Sequence, residues 1–270
     1  MNDSHKFSFG ENWLRFLSHI TNSRIKTAEQ SLKEFLKIAN LQDKSFIDMG
    51  CGSGLFSYSA YRLDAKSITS FDVDPFSVEC CKHMHQKAGS PENWKILEGS
   101  VLDSEFTHNL GKFDIVYSWG VLHHTGKMWQ AIENAATCVE QGGYLYIALY
   151  NKTKGLNSSL LWLQIKKLYN SSPKLGKTIL EILYSLLFCV ATLVRLKNPV
   201  TEIRNYQSHR GMDFMTDVRD WLGGYPYEFA STDEVINFMK SHFPRFKLIS
   251  LQSASGTGNN WFLFSNTQEN

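Results

Sequence analysis

Phe46-Ile47-Asp48-Met49-Gly50-Cys51-Gly52-Ser53-Gly54 is the stretch that decides the fold. A short apolar run ends in a carboxylate, and three alternate glycines follow it directly. Glycine serves where a backbone turns tightly or comes closer to a bound molecule than a Cβ permits. Leu55 to Tyr61 has the composition of the first turns of a helix, so the stretch predicts strand, glycine turn and helix: a nucleotide cradle. Spacing then separates the kinds of nucleotide. A dinucleotide fingerprint, Gly-x-Gly-x-x-Gly counted from Gly50, needs a glycine where Leu55 stands, and here the third glycine arrives one residue early, at Gly54.

The bulk composition narrows the classes. A chain of 270 residues, 43% of them hydrophobic, suits one large α/β domain or a domain carrying an insertion and excludes disorder. A net charge of +2, with no Lys/Arg run interleaved with aromatics, argues against a nucleic-acid partner. Five cysteines without a Cys-x-x-Cys fit a reducing compartment. Met1 to Gly10 lacks the apolar core of a signal peptide, so the expected location is cytoplasmic.

Ahead of the cradle, Ile25, Ala28, Leu32, Phe35, Leu36 and Ala39 recur at helical spacing and predict an amphipathic helix from about Ser23 to Ala39. Phe7, Phe9, Trp13 and Phe16 form an aromatic patch, read either as packing on the sheet or as a flap over the pocket. After the cradle, Ser67 to Phe71 reads as a second strand ending at Asp72 and Val73. Asp74 and Pro75 then supply an N-cap and a first-turn proline. Asp72 lies where the acidic residue of a second parallel strand reaches the hydroxyls of a ribose. In the next helix Cys81 and His85 would share a face, but no second pair stands at zinc-like spacing, and no metal is expected. Trp94 to Leu97 and Phe113 to Ser118 predict the third and fourth strands, and Tyr144 to Tyr150 the fifth, after the Gln141-Gly142-Gly143 turn.

The Asp-x-Gly-x-Gly-x-Gly pattern from Asp48 to Gly54 resembles that of class I methyltransferases that use S-adenosylmethionine (SAM). Phe113-Asp114-Ile115-Val116-Tyr117-Ser118-Trp119-Gly120-Val121-Leu122-His123-His124-Thr125-Gly126 is similar to the fourth-strand motif of small-molecule methyltransferases of the ubiquinone-biosynthesis type. The resemblance implies a Rossmann-like, mostly parallel sheet of seven strands with helices on both faces, the last strand antiparallel beside the sixth. It places SAM against Asp48, Gly50, Cys51, Gly52 and Gly54, with Ser100 and Val101 at the adenine, Asp103 at its amine, and Ser118, Trp119 and Gly120 at the methionine end. It implies one methyltransferase domain over 1–270: N-terminal helices at 11–40, a core at 44–151 and 226–266, and a helical lid insertion after the fifth strand at 152–225.

His123 and His124 stand where an imidazole could take a proton from a hydroxyl or amine acceptor, His124 being the favoured base; alternatively the pair caps the next helix or fills the loop. Tyr150 and Asn151 leave the fifth strand beside the expected acceptor site. In the insertion, Ser158 to Tyr169 and Lys174 to Leu196 read as helices separated by Pro173. On the second, Thr178, Glu181, Ser185, Thr192 and Arg195 form one narrow polar stripe, so burial of most of its circumference is expected. Its apolar stretch, Ile179 to Val194, reads as too short for a membrane span, leaving a lid, a homodimer seam or a membrane-surface helix aided by Lys174, Lys177, Arg195 and Lys197. The aromatic, charged run from Arg210 through Trp221 and Tyr225 to Glu228 reads as an acceptor-binding lip, with Arg219 paired to Asp217 or Asp220 as the plainer account. Ser231 and Glu234 form a capping box, and the last two strands are expected at Phe246 to Gln252 and Asn260 to Ser265. The activity expected is methyl transfer to oxygen or nitrogen of a small, partly apolar or aromatic acceptor. A nicotinamide oxidoreductase and a non-catalytic SAM-fold binding subunit are the alternatives.

Overall fold

The structure is a computed structural model and describes residues 20–206 and 213–267. Phe7, Phe9, Trp13, Phe16 and Arg210 lie outside the described residues. Seven strands form one sheet in the order β3-β2-β1-β4-β5-β7-β6. These are β1 Ser45–Met49, β2 Ser67–Asp72, β3 Trp94–Glu98, β4 Phe113–Trp119, β5 Val139–Tyr150, β6 Phe246–Gln252 and β7 Asn259–Asn266. β1 to β5 pair in parallel, and β7 inserts antiparallel between β5 and β6.

Alternation along the strands feeds two separate cores, because successive side chains leave opposite faces of a sheet. Ile47, Met49, Val116, Leu145 and Ile147 pack to one side with α5 (Met128–Thr137) and α10 (Thr232–His242). Phe46, Ile115, Tyr117 and Tyr146 pack to the other with α1 (Asn22–Leu36), α2 (Leu55–Arg62) and α3 (Pro75–Lys87). A short α4 (Ser104–Asn109) follows β3. Helix ends obey local chemistry. Asp74 accepts the Phe76 N–H with Pro75 in the first turn of α3, and Ser231 and Glu234 close a reciprocal capping box on α10. α1 stops earlier than its periodicity suggests, at Leu36, where Lys37 turns left-handed at φ 57°. β5 begins earlier than expected: Val139 already pairs with Phe113, and a register shift absorbs the glycines before Tyr144.

Between β5 and α10 the chain builds a third layer from α6 (Ser159–Ser171), α7 (Lys174–Val194), α8 (Pro199–Arg204) and α9 (Phe214–Gly223). Tyr169, Phe214, Val218 and Leu222 form its core. Here the expectation for α7 is overturned. The middle of the polar stripe faces inward, with Glu181 and Thr192 buried and Ser185 half-buried, while Thr178 and Arg195 at its ends and Ile179, Ile182, Leu183, Leu186, Leu187, Val190 and Leu193 are exposed. α6 and α9 cover one side of α7, so the remaining circumference stays bare. The exclusion of a span on length does not hold either, since α7 has 21 residues and is long and apolar enough by length and composition to cross a membrane. Glu181 takes the Tyr169 hydroxyl at 2.7 Å and Arg219 Nε at 3.2 Å. Arg219 therefore pairs across the layer, and not with Asp217 or Asp220 beside it; Asp217 accepts the Tyr206 hydroxyl at 2.5 Å.

Candidate active site

The glycine bend is built from backbone. Gly50 and Cys51 both donate N–H groups to the Phe71 carbonyl, at 2.8 and 3.0 Å, which locks the exit of β1 onto β2. Gly50, Gly52 and Gly54 all have positive φ, of 78°, 50° and 74°. A Cβ at Gly50 would lie 2.4 Å from a Val121 methyl, and one at Gly54 would lie 2.8 Å from the Cys81 Cα. Both the conformation and the close approach of β4's exit and of α3 therefore demand glycine.

Asp72 sits half-buried at the end of β2 and accepts the Gly52 N–H at 3.0 Å on one oxygen and the Asp74 N–H at 3.0 Å on the other. Burial raises its carboxyl pKa, partly offset by those amides. Each oxygen keeps a lone pair for a diol. Around the strand exits Val73, Phe76 and Trp119 stay exposed, an apolar rim suited to a purine. A bend with no room for side chains, a ribose-competent carboxylate and this rim fit an adenosyl group.

Other expected cofactor residues occupy structural posts in the same region. Asp48 is buried and accepts the Ser57 hydroxyl at 2.6 Å, in a chain continuing through Ser70 to Trp94. Burial pushes its carboxyl up to about 7, while the Ser57 bond pulls it back. The Ser118 hydroxyl donates to the Met49 carbonyl at 2.8 Å, tying β4 to β1. Val101 lies in the core, the Ser100 hydroxyl accepts the Leu102 N–H, and Asp103 caps α4. Gly120 turns at φ 77° and donates to the Ala148 carbonyl at 3.2 Å.

Past Val121 a one-turn 3-10 helix, Leu122–His124, brings both imidazoles against the end of β5. Ring centroids of His123 and Tyr150 are 4.0 Å apart, and Tyr150 also meets Tyr227 at 5.0 Å and Trp221 at 5.9 Å. His124 Nδ1 lies 2.6 Å from the Pro226 carbonyl, which can only accept, so Nδ1 carries the proton and Nε2 is the acceptor nitrogen. Part of the His124 surface is exposed, yet its ring is enclosed enough that desolvation pushes it down to about 4, against a smaller upward pull from Pro226. Burial also holds His123 well below the ordinary imidazole value, with His124 and Lys166 adding repulsion. Both rings are neutral at pH 7, and His124 is a hydrogen-bond acceptor more than a proton sink.

Lys166, Trp162 and Tyr227 complete this cluster; Tyr227 falls within the expected acceptor lip, whereas Lys166 and Trp162 escaped the sequence reading. Lys166 is fully buried, donates to the Trp221 carbonyl, and lies 4.2 Å from the Trp221 ring centroid and 4.9 Å from that of Tyr227. A signal was present: Trp162, Lys166 and Tyr169 recur at helical spacing on α6, placing a lysine on an aromatic stripe. Asn151, by contrast, is a structural knot, its amide donating to the Gly256 carbonyl and accepting from Asn260. Tyr225 is half-buried and makes no ring contact with the cluster among the described residues.

A parallel sheet with an antiparallel β7, a glycine bend facing a strand-end carboxylate and an adjoining aromatic cluster define a cofactor-dependent transferase of the Rossmann-like type. A family model described as a methyltransferase domain matches residues 40–208. The chain belongs to that family, the class I SAM-dependent methyltransferases. It is 29% identical over 111 residues to the ubiquinone biosynthesis O-methyltransferase of Methylobacterium sp. (strain 4-46), covering 40% of this chain and 42% of that protein. The chain thus spans less than half the length of that relative. Magnesium protoporphyrin IX methyltransferase from Synechocystis PCC 6803, solved with bound S-adenosylhomocysteine (SAH), superposes with a TM-score of 0.56 at 14% identity over 96% of this chain and 95% of that one. An N-methyltransferase from Bradyrhizobium japonicum WM9, also solved with SAH, gives 0.52 at 13% identity over 96% and 99%. The family match leaves the nicotinamide alternative without support.

Proposed function

We propose that this protein transfers the methyl group of SAM to an oxygen or nitrogen of a small, partly aromatic acceptor bound among Tyr150, Trp221, Tyr227 and His124. The observation that carries the reading is the placement of His124, at the edge of that cluster, three residues beyond Val121, whose methyls rest against the glycine bend. Cofactor cradle and acceptor cluster are thereby contiguous.

When bound, SAM supplies a methyl on a positively charged sulfur, which needs alignment more than activation. Gly50 to Gly54 would lie along its amino-acid portion, Asp72 would hold the ribose hydroxyls, and Val73 and Trp119 would flank the cradle. The aromatic walls orient the acceptor and exclude water, and orientation of this kind is worth about 7–11 kcal/mol of a barrier. His124 Nε2 accepts a hydrogen bond from the acceptor's O–H or N–H and so fixes which lone pair faces the methyl.

Calorimetric titration of SAH into the ligand-free protein should show one site per chain, and labelled methyl from SAM should appear in a product when a metabolite extract is added. Absence of SAH binding would overturn the reading. Binding without transfer to any extract would leave the SAM-fold binding subunit as the better account.

A further inference from the structure

We propose that the acceptor presents an anionic or readily ionised oxygen, of the carboxylate or phenol type, and that Lys166 is the residue that binds it. The inference rests on the methyltransferase reading and names the substrate class of that same site.

The argument is a census of hydrogen-bonding capacity. His123 Nδ1 accepts the Tyr150 N–H at 3.3 Å, so its proton is on Nε2, and that N–H is buried without a hydrogen-bond partner. The Trp221 Nε1–H and the Tyr227 hydroxyl are buried and unpartnered as well; the Ala148 carbonyl near His123 and the Ser159 hydroxyl near Tyr227 fall short of hydrogen-bond geometry. Lys166 has three N–H donors, of which one reaches the Trp221 carbonyl at the last turn of α9. Among the described residues no carboxylate lies within ion-pair distance of it, and aromatic faces take the place of a counter-ion. Each of these three orphaned groups can donate and none is a carboxylate, whereas the buried Asn259 amide oxygen, on the β7 residue opposite Tyr150, is an orphaned acceptor.

Buried donors left unmade are costly, by roughly 1–3 kcal/mol each, and a fold that collects them around one ring is complementary to an acceptor-rich ligand. A protonated amine would leave the three orphaned donors unfilled and would face the buried Lys166 amine. An oxygen anion would fill them and supply the counter-charge that the buried lysine lacks. The plainer role of Lys166, capping α9, accounts for one of its three donors, and α9 has a second cap already, since Asn170 donates to the Gly223 carbonyl at 2.9 Å. A Cβ at Gly224 would lie 3.3 Å from His124 Cε1 and 3.5 Å from Lys166 Nζ, so the two side chains approach the same point from two elements.

Burial pushes Lys166 down to about 7, with Asp220 a minor opposing influence, so near neutral pH the amine can hold a proton or receive one. A carboxylate would bind to the ammonium form. A phenol-type hydroxyl would pass its proton to neutral Nζ. In either case an oxygen lone pair forms the new O–C bond while the S–C bond of SAM breaks and its electron pair stays on sulfur. The products are a methyl ester or methyl ether and SAH.

The test uses the full chain saturated with SAH and four probes: benzoate, 4-nitrophenol, benzylamine and benzyl alcohol. Benzoate and ionised 4-nitrophenol should bind at least tenfold more tightly than benzylamine and benzyl alcohol. The visible absorbance of 4-nitrophenolate should show that the bound phenol ionises at lower pH than the free one. Lys166→Met should lose that discrimination while keeping SAH affinity, and Lys166→Arg should keep part of it. Unchanged benzoate binding in Lys166→Met, or benzylamine binding equal to benzoate in the wild type, overturns the inference. So does a Lys166→Met protein that loses stability alone. Loss of SAH binding by the wild type would instead defeat the methyltransferase reading.

Discussion

Replacement of Lys166 by Met should reverse the sign of its effect on stability between acid and alkali. In the folded protein burial moves the amine from its ordinary 10.5 to about 7, whereas in the unfolded chain it titrates normally. Between those values the unfolded state binds the extra proton, so the wild type gains stability as pH rises. The full difference, at about 1.4 kcal/mol per tenfold change in proton affinity, is on the order of 5 kcal/mol. Below pH 7 the wild type carries that penalty and the Met variant does not. Met has a similar shape and no charge, and removal of an unpaired buried charge in favour of an apolar side chain stabilises. Only above about pH 10.5 is the lysine uncharged in both the folded and the unfolded chain, and there the variant lacks only the bond to the Trp221 carbonyl, a deficit of about 1 kcal/mol. Urea unfolding of both proteins at pH 6, 8 and 10, followed by tryptophan fluorescence, measures the difference directly. Subtracting one profile from the other removes the contribution of Asp48, whose raised pKa acts in the opposite direction at lower pH. A stability difference that stays constant from pH 6 to 10 would refute the claim that Lys166 is desolvated and unpaired.

Gly54→Ala should destabilise by about 2–4 kcal/mol, combining a left-handed backbone with a Cβ 2.8 Å from the Cys81 Cα, and should abolish SAH binding in calorimetry. Retained SAH affinity would show that the bend tolerates a side chain. Asp72→Ala should weaken SAH by roughly 10- to 100-fold, the worth of hydrogen bonds to a charged group, while the melting temperature shifts by only a few degrees; equal affinity would remove Asp72 from the ribose site. Glu181→Ala should lower stability by about 2–3 kcal/mol, because it strands the buried Tyr169 hydroxyl and frees Arg219. A neutral result in chemical denaturation would mean that the inward polar stripe of α7 holds nothing together.

Much was legible from local rules. The Asp48 to Gly54 bend, the Asp74-Pro75 cap, the Ser231/Glu234 box and the strands from β1 to β4 follow from glycine conformation, side-chain capping and period-two alternation, all of which act within a few residues. The site was legible where it is made of backbone and strand ends. Trp221, and Tyr227 within the run that ends at Glu228, were legible as an acceptor lip from their aromatic and charged composition; Lys166 was not, because nothing within α6 alone says that a lysine will be enclosed.

Sequence by itself determined the fold and the cradle, since alternation sorts each strand's side chains to two faces and only glycine fits the bend where α3 and Val121 approach. Only the tertiary structure decided which way α7 faces and where Lys166 ends up. A polar stripe on an apolar helix is equally consistent with an inward or an outward seam. The choice depends on partners, here Tyr169 and Arg219 for Glu181, that lie 12 and 38 residues away along the chain. Desolvation of a lysine is likewise a property of everything packed around it.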